Sequence, residues 1–142
     1  MSFLLDTNVV SEWVKPHPNV GVIAWLAEAD EDTVFLSVVT LAELRYGIER
    51  LPAGRRRTRL AEWLRDDIPL RFEGRILPID VVVADACGKL MARIELGGQT
   101  IAAMDALIAA TTEVHHLALV TRNTSHFDSA VAAMVNPWTQ DA

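Results

Sequence analysis

The sequence predicts an α/β fold in which a parallel β-sheet lies between layers of helices. Three short apolar runs, at residues 2–5, 34–37 and 117–121, each stop on polar residues, which is typical of buried strands. Segments with apolar residues at helical spacing separate these runs, and such alternation favours a parallel sheet covered on both faces. Because the chain has 142 residues and no linker or internal repeat, we expect a single domain over residues 1–142.

Two short helices are predicted between the first and second strands. The first spans residues 8–14 and ends at Lys15-Pro16-His17-Pro18, because two prolines in three residues cannot continue a helix. Asn19 can cap the second helix, and an acidic turn at residues 28–32 closes it. The β-rich segment 34–37 then forms the second strand.

Two further helices are predicted after the second strand. Thr40 begins the first of them, and Thr40 and Glu43 have the spacing of a capping box, in which the Glu side chain accepts a hydrogen bond from the backbone amide of the capping residue. A break at Pro52-Ala53-Gly54 leads to an arginine-rich helix over residues 55–67.

The second half of the chain begins with a brief extended segment at residues 75–79. Asp80 can cap the next helix, which Gly97-Gly98 ends. Thr100 is expected to cap an alanine-rich helix over residues 101–115, and the strand at 117–121 follows it.

Hydropathy and cysteine content favour a cytoplasmic protein with no membrane partner. No apolar run reaches the roughly 18 residues needed to cross a bilayer, and residues 1–15 lack the basic and apolar regions of a signal peptide. Cys87 is the only cysteine, so the chain has no internal disulfide framework, which fits a reducing compartment.

Charge is distributed unevenly along the chain. The net charge is -6, yet residues 45–75 hold nine arginines against five acidic residues, and the remainder has four basic residues against fourteen acidic ones. This separation suits an acidic metal centre flanked by a basic surface that holds a polyanion. A solvated helical face with ordinary ion pairs is the alternative interpretation. The arginines of interest are Arg55, Arg56, Arg57 and Arg59.

Four polar residues are expected to meet at one edge of the sheet. Asp6 ends the first strand, Asn123 follows the strand at 117–121, and Glu43 and Asp105 lie near the starts of helices. The carboxyl ends of parallel strands and the beginnings of the following helices share one rim. Each helical acid also has a structural interpretation, since Glu43 fits a capping box and Asp105 could stabilise the helix dipole.

A cluster of carboxylates at this edge would favour a divalent cation. Without one, repulsion would raise the pKa of one acid and keep it protonated. Oxygen ligands without Cys, and with no His at ligand spacing, select a hard ion such as Mg²⁺ or Mn²⁺. Such an ion can activate water and neutralise charge on a phosphodiester. No Ser-His or Cys-His nucleophile pair stands out in the sequence.

Five separated motifs carry a resemblance to a known family. They are LLDTNVVSE at 4–12, SVVTLAELRYG at 37–47, RILP at 75–78, IAAMDALIAA at 101–110 and TRNT at 121–124, and the chain closes on Asn136-Pro137-Trp138. In this order they resemble PIN-domain proteins, in particular the VapC toxin family and its FitB-like branch. The resemblance covers essentially all 142 residues.

The resemblance implies a PIN-like three-layer α/β/α sandwich and a homodimer. It also implies the toxin of a type II toxin–antitoxin system, a Mg²⁺- or Mn²⁺-dependent endoribonuclease that hydrolyses RNA through a metal-activated water. A cognate VapB-like antitoxin would block the site and carry the complex to operator DNA. The arginine cluster would then hold RNA or acidic antitoxin segments.

The resemblance also assigns roles to individual residues. By position, Asp6, Glu43 and Asp105 match the metal-binding carboxylates. Thr121 and Asn8 match residues that support these ligands by hydrogen bonds, and Thr7 with Asn8 shapes the turn that holds Asp6.

One position departs from the family pattern. Asn123 stands where a fourth acid is expected, and an amide can ligate through oxygen or orient a water but brings no charge and cannot act as a base. We expect Asn123 to serve in this neutral way, with nearby Asp128 as the alternative acid.

Two other functions remain open on the sequence. A phosphatase of the haloacid dehalogenase type also begins with an aspartate after its first strand, but it uses a second aspartate two residues later, where this chain has Asn8. The other is a catalytically weak or inactive PIN domain that lost activity with the fourth acid and acts as an antitoxin-binding, operator-regulating partner.

Overall fold

The fold is a five-stranded, fully parallel sheet between two layers of helices, as seen in a computed structural model that describes residues 1–138. The strands are Phe3–Leu5 (β1), Val34–Ser37 (β2), Ile76–Leu77 (β3), Ala118–Val120 (β4) and Met134–Val135 (β5). Their order in the sheet is β3-β2-β1-β4-β5, so β1 is central. The predicted fold class is confirmed, and the last four residues of the predicted 1–142 domain lie outside the described ones.

Helices connect the parallel strands and cover both faces of the sheet. They are Thr7–Ser11 (α1), Val20–Glu28 (α2), Val38–Glu49 (α3), Arg55–Glu62 (α4), Ile68–Arg71 (α5), Val81–Leu96 (α6), Ala103–His115 (α7) and Thr124–Phe127 (α8). Short 3₁₀ turns at Glu12–Val14 and Glu31–Thr33 extend the pattern, and a π-helical turn at Trp63–Asp67 joins α4 to α5. Across residues 1–138, no helix is both long and apolar enough to cross a membrane.

Alternating residues of the central strands divide the core into two halves. Leu4 and Leu119 face one side, where α6 and α7 pack, whereas Leu5 and Val120 face the other, where α1 to α5 pack. All four side chains are fully buried. Because both faces of the sheet are covered, its short strands are apolar apart from Ser37 at the end of β2, which explains why the sequence shows runs rather than alternation.

Several predicted helix caps are confirmed. The side chain of Asn19 accepts a hydrogen bond of 3.1 Å from the amide of Val22, and that of Asp80 accepts one of 2.9 Å from Val83. Helix α6 ends at Leu96 with Gly97 as its C-cap, as expected, and Gly98 follows with a φ of 85°, a conformation that favours glycine.

Other details of the prediction are wrong. Thr100 caps no helix, because α7 begins at Ala103 and has no side-chain cap. The arginine-rich helix is regular only to Glu62. Strand β5 and helix α8 carry no clear sequence signal, since a two-residue edge strand and a four-residue helix are too short to show periodicity.

Candidate active site

Asp6 lies at the centre of the carboxyl edge of the sheet, between β1 and α1. Its backbone amide continues the sheet by donating to Val120 (2.9 Å). Its Oδ1 accepts a hydrogen bond from the amide of Thr7 (2.8 Å), so Asp6 caps α1. Its Oδ2 accepts from the hydroxyl of Thr121 (2.8 Å) and, weakly, from the side-chain amide Nδ2 of Asn8 (3.4 Å). The residue is only 6% exposed, and these contacts fix its carboxylate.

Glu43 reaches the same edge from α3, and the capping-box interpretation of this residue is wrong. Helix α3 begins at Val38, and its cap is Ser37, whose hydroxyl accepts from Val39 (3.0 Å). Thr40 is therefore inside the helix, where it is fully buried. The carboxylate of Glu43 instead accepts a hydrogen bond of 2.6 Å from the hydroxyl of Thr7.

Asp105 completes the acidic cluster from the first turn of α7. It is half-buried, and its negative charge acts on both Asp6 and Glu43 by raising the pKa of each. Asp105 also lies where an acid stabilises the helix dipole. Its place in the acidic cluster and this structural role do not exclude each other. The structure thus brings Asp6, Glu43 and Asp105 within electrostatic range of one another.

Burial is the main cause that raises the pKa of both Asp6 and Glu43 above its ordinary value. The hydrogen bonds from Thr121 and Thr7 lower the pKa of Asp6 but do not cancel the cost of burial. The hydrogen bond from Thr7 acts in the same way on Glu43. The cluster therefore holds more negative charge than its surroundings stabilise, which is a condition that a cation would relieve.

Asn123 contributes through its main chain. Its backbone amide donates to the hydroxyl oxygen of Thr121 (3.0 Å), which orients that hydroxyl toward Asp6. Its side chain is exposed. Asp128, the alternative acid, is elsewhere: it lines a cavity together with Met1 and His116, near the amino ends of the strands. The structure does not bring Asp128 to the site.

His126 is a neighbour of the site that the sequence analysis missed. It lies in α8, and its charge lowers the pKa of Asp6. Only the path of the chain after β4 brings this residue to the site, and a single His in a polar segment gave no signal. Glu12 was also missed. It is a buried carboxylate whose Oε1 accepts from the amide of Asn19 (2.8 Å) and whose Oε2 pairs with Lys15.

The arginine-rich segment is partly occupied by ion pairs. Arg57 and Arg45 both contact Glu49, at 3.3 and 3.8 Å. Arg65 pairs with its neighbour Asp66 at 2.8 Å. Among residues 1–138, Arg55, Arg56 and Arg59 have no acidic partner within 4 Å. Ion pairs of the kind that the alternative interpretation expects are thus present in part of this segment.

The donor chemistry of the site fits a hard divalent cation. The carboxylates of Asp6, Glu43 and Asp105 offer only oxygen ligands, and Asn123 has an amide carbonyl oxygen; the pKa of Asp6 and of Glu43 is raised. Within residues 1–138, however, no three Asp, Glu, His or Cys side chains are arranged to hold an ion as they stand. In the described structure, Glu43 is instead held by Thr7.

Comparison with known proteins decides the family. The model of the PIN domain family matches residues 3–131 of this chain. The chain belongs to the PIN domain family. Toxin FitB of Neisseria gonorrhoeae is 44% identical over 135 residues, covering 95% of this chain and 97% of that protein. VapC ribonuclease Y4jK of Sinorhizobium fredii is 39% identical over 135 residues, covering 95% and 96%.

A solved structure agrees with this assignment. FitAB bound to an IR36 DNA fragment contains a chain that superposes with a TM-score of 0.90 and 41% identity, over 96% of this chain and 95% of that one. Membership of the PIN domain family confirms the predicted α/β/α sandwich and excludes the phosphatase alternative. It also supports a nuclease, and PIN-domain nucleases generally need divalent metal ions.

Proposed function

We propose that this PIN domain is the toxin of a type II toxin–antitoxin system and cleaves RNA as a Mg²⁺- or Mn²⁺-dependent endoribonuclease. The observation that carries the proposal is the convergence of Asp6, Glu43 and Asp105 at one edge of the sheet, two of them with a raised pKa. The names of the two relatives, a VapC ribonuclease and the toxin FitB, support the same activity.

Asp6, Glu43 and Asp105 would hold the metal ion, with Asn123 as a neutral oxygen donor. When bound, the ion supplies an activated water and neutralises charge on the phosphodiester. Thr121 holds the carboxylate of Asp6 in place through its 2.8 Å hydrogen bond, and Thr7 does the same for Glu43. Such supporting contacts fix ligand orientation and tune affinity.

An antitoxin is the expected partner of this toxin. The solved FitAB complex is bound to DNA, and this chain is 41% identical to the chain that it matches there. We infer a VapB-like antitoxin that covers the carboxylate edge and brings the complex to operator DNA, together with a homodimer of this chain. A PIN domain that only binds the antitoxin stays the second candidate, since Asn123 removes one negative charge from the site.

The proposal is tested by assaying the purified, antitoxin-free protein on single-stranded and loop-containing RNA. Cleavage is expected with Mg²⁺ or Mn²⁺ and not with EDTA, and Asp6→Asn should abolish it. Metal-independent cleavage, or full activity of Asp6→Asn, would refute the mechanism. An absence of cleavage on any RNA would favour the binding partner.

A further inference from the structure

A groove leads away from the carboxylate edge, between the turn after α1 and the arginine-rich helix. Its inner part is a pocket of about 240 Å³ that begins at Thr7 and Glu43. A second pocket of about 390 Å³, here called the outer pocket, lies next to it and also includes Pro16 and Arg59. The two parts share their lining at Val14, Arg56, Leu60 and Trp63. The two pockets therefore adjoin, and Glu43 is the carboxylate of the acidic cluster that lines the inner one.

The wall of this groove is one face of a helical segment. Arg56, Leu60 and Trp63 follow one another at spacings of four and three residues, so they lie in a row. Arg59 joins the row in the outer pocket. Leu60 and Trp63 are half-buried against the core, whereas Arg56 and Arg59 are exposed. The groove thus combines an apolar floor with a cationic rim.

The positive charge at this rim is not neutralised. Lys15, which also lines the inner pocket, pairs with Glu12. Arg56 and Arg59 have no acidic side chain within 4 Å among residues 1–138, although Arg57, between them, pairs with Glu49. The net charge of the chain is -6, so two unpaired guanidinium groups next to an acidic site stand out. Guanidinium groups bind phosphate through paired hydrogen bonds.

We propose that this groove binds the RNA nucleotide next to the cleaved bond, with its base against Trp63 and its phosphate on Arg56 and Arg59. The inference rests on the proposed RNA substrate. An RNA strand whose cleaved phosphodiester lies at the carboxylate edge must continue along the protein surface, and this groove begins beside Glu43. The inner pocket is smaller than the roughly 300–1,000 Å³ of sites for drug-sized ligands, which suits a single base. Aromatic side chains bind bases of any sequence by stacking.

The experiment compares matched variants by the binding of labelled single-stranded RNA of mixed sequence, in EDTA and at several salt concentrations. Trp63→Leu should weaken binding about tenfold, whereas Trp63→Phe, which keeps an aromatic ring, should weaken it much less. Arg56→Gln and Arg59→Gln should each reduce the slope of log K against log salt by about 0.7. Arg65→Gln is the control, because Arg65 lies in the same helical segment, pairs with Asp66 and lines neither pocket.

The outcomes separate this inference from the proposed function. If the wild type cleaves RNA but all four groove variants bind RNA with unchanged affinity and salt slope, the groove is not a nucleotide site and the nuclease stands. If RNA binding depends on these residues but neither metal supports cleavage, the groove stands and the nuclease fails. Variants that keep RNA affinity but no longer retain the co-expressed antitoxin would assign the groove to that protein and overturn the inference.

Discussion

The hydroxyl of Thr7 donates a hydrogen bond of 2.6 Å to Oε1 of Glu43. The backbone amide of the same residue donates to Oδ1 of Asp6 at 2.8 Å. Thr7 therefore joins the carboxylate of Asp6, which directly follows β1, to that of Glu43 on α3, and its hydrogen bonds lower the pKa of both acids against the effect of burial. Thr7 is thus the one described residue that donates hydrogen bonds to both of these acids.

Removing the hydroxyl of Thr7 should weaken the metal site. Thr7→Val keeps the shape of the side chain but leaves Glu43 without its hydrogen bond, so the pKa of Glu43 should rise further. Mn²⁺ affinity, measured by calorimetry, and RNA cleavage should fall about 10- to 100-fold, as is typical when a residue supporting a ligand is lost. Thr7→Ser keeps the hydroxyl and should retain most of both. Equal losses in the two variants would contradict this role.

Asp6→Asn should stabilise the metal-free protein at neutral pH while abolishing cleavage. The pKa of Asp6 is raised in the folded state, so the unfolded chain releases this proton first and stability falls as pH rises above about 3.9, the ordinary value for aspartate. The side-chain amide of Asp6→Asn carries no charge, so the variant does not lose this stability as pH rises. Thermal unfolding in EDTA should therefore give the variant a higher Tm at pH 7 and no advantage at pH 3.

Metal should reverse the order of stability in the same experiment. A divalent cation binds only the folded wild type with full affinity, so saturating Mg²⁺ or Mn²⁺ should raise its Tm and leave that of Asp6→Asn nearly unchanged. A wild type whose Tm does not respond to either ion would argue against a metal site at Asp6.

Asn123→Asp should strengthen metal binding. The backbone amide at this position, which orients Thr121, is kept in the variant. The new carboxylate adds the negative charge that the resemblance to VapC toxins leads us to expect there. Mn²⁺ affinity should rise severalfold, and cleavage with it. Ser125→Asp adds the same charge at an exposed position of α8 and is the control. Identical changes in both variants would assign the effect to net charge alone.

Glu12 should contribute to stability rather than to catalysis. Burial by itself would raise the pKa of Glu12, but Lys15 and the amide of Asn19 outweigh it and hold the pKa below its ordinary value. This stabilisation is present above the ordinary pKa of Glu and is lost as pH falls through the lower folded value. Glu12→Ala should cost about 1–3 kcal/mol in the free energy of unfolding at pH 7, measured with urea.

Metal affinity and RNA cleavage together distinguish a structural role of Glu12 from a functional one. The variant should keep the metal affinity of the wild type at a temperature where both are folded, because Glu12 contacts Asn19 and Lys15 and not the acidic cluster. A selective loss of cleavage without loss of stability would show that this interpretation is wrong.

The sequence by itself determined the order of elements and the positions of the acids. Buried strands need continuous apolar runs, and a carboxylate directly after such a run can only lie at the rim of the sheet, so Asp6 was identifiable from local pattern. The caps at Asn19 and Asp80 were predictable for the same reason, because they depend on residues only three positions away.

Only the tertiary structure decided which local interpretation holds where two compete. Thr40 and Glu43 have capping-box spacing, but the packing of α3 places its start at Val38 and directs Glu43 to Thr7. Asp128 and Asn123 are five residues apart in sequence, yet they lie at opposite ends of the strands, because α8 turns the chain back. Contacts between residues distant in sequence depend on how whole elements pack, and local pattern carries no record of that packing.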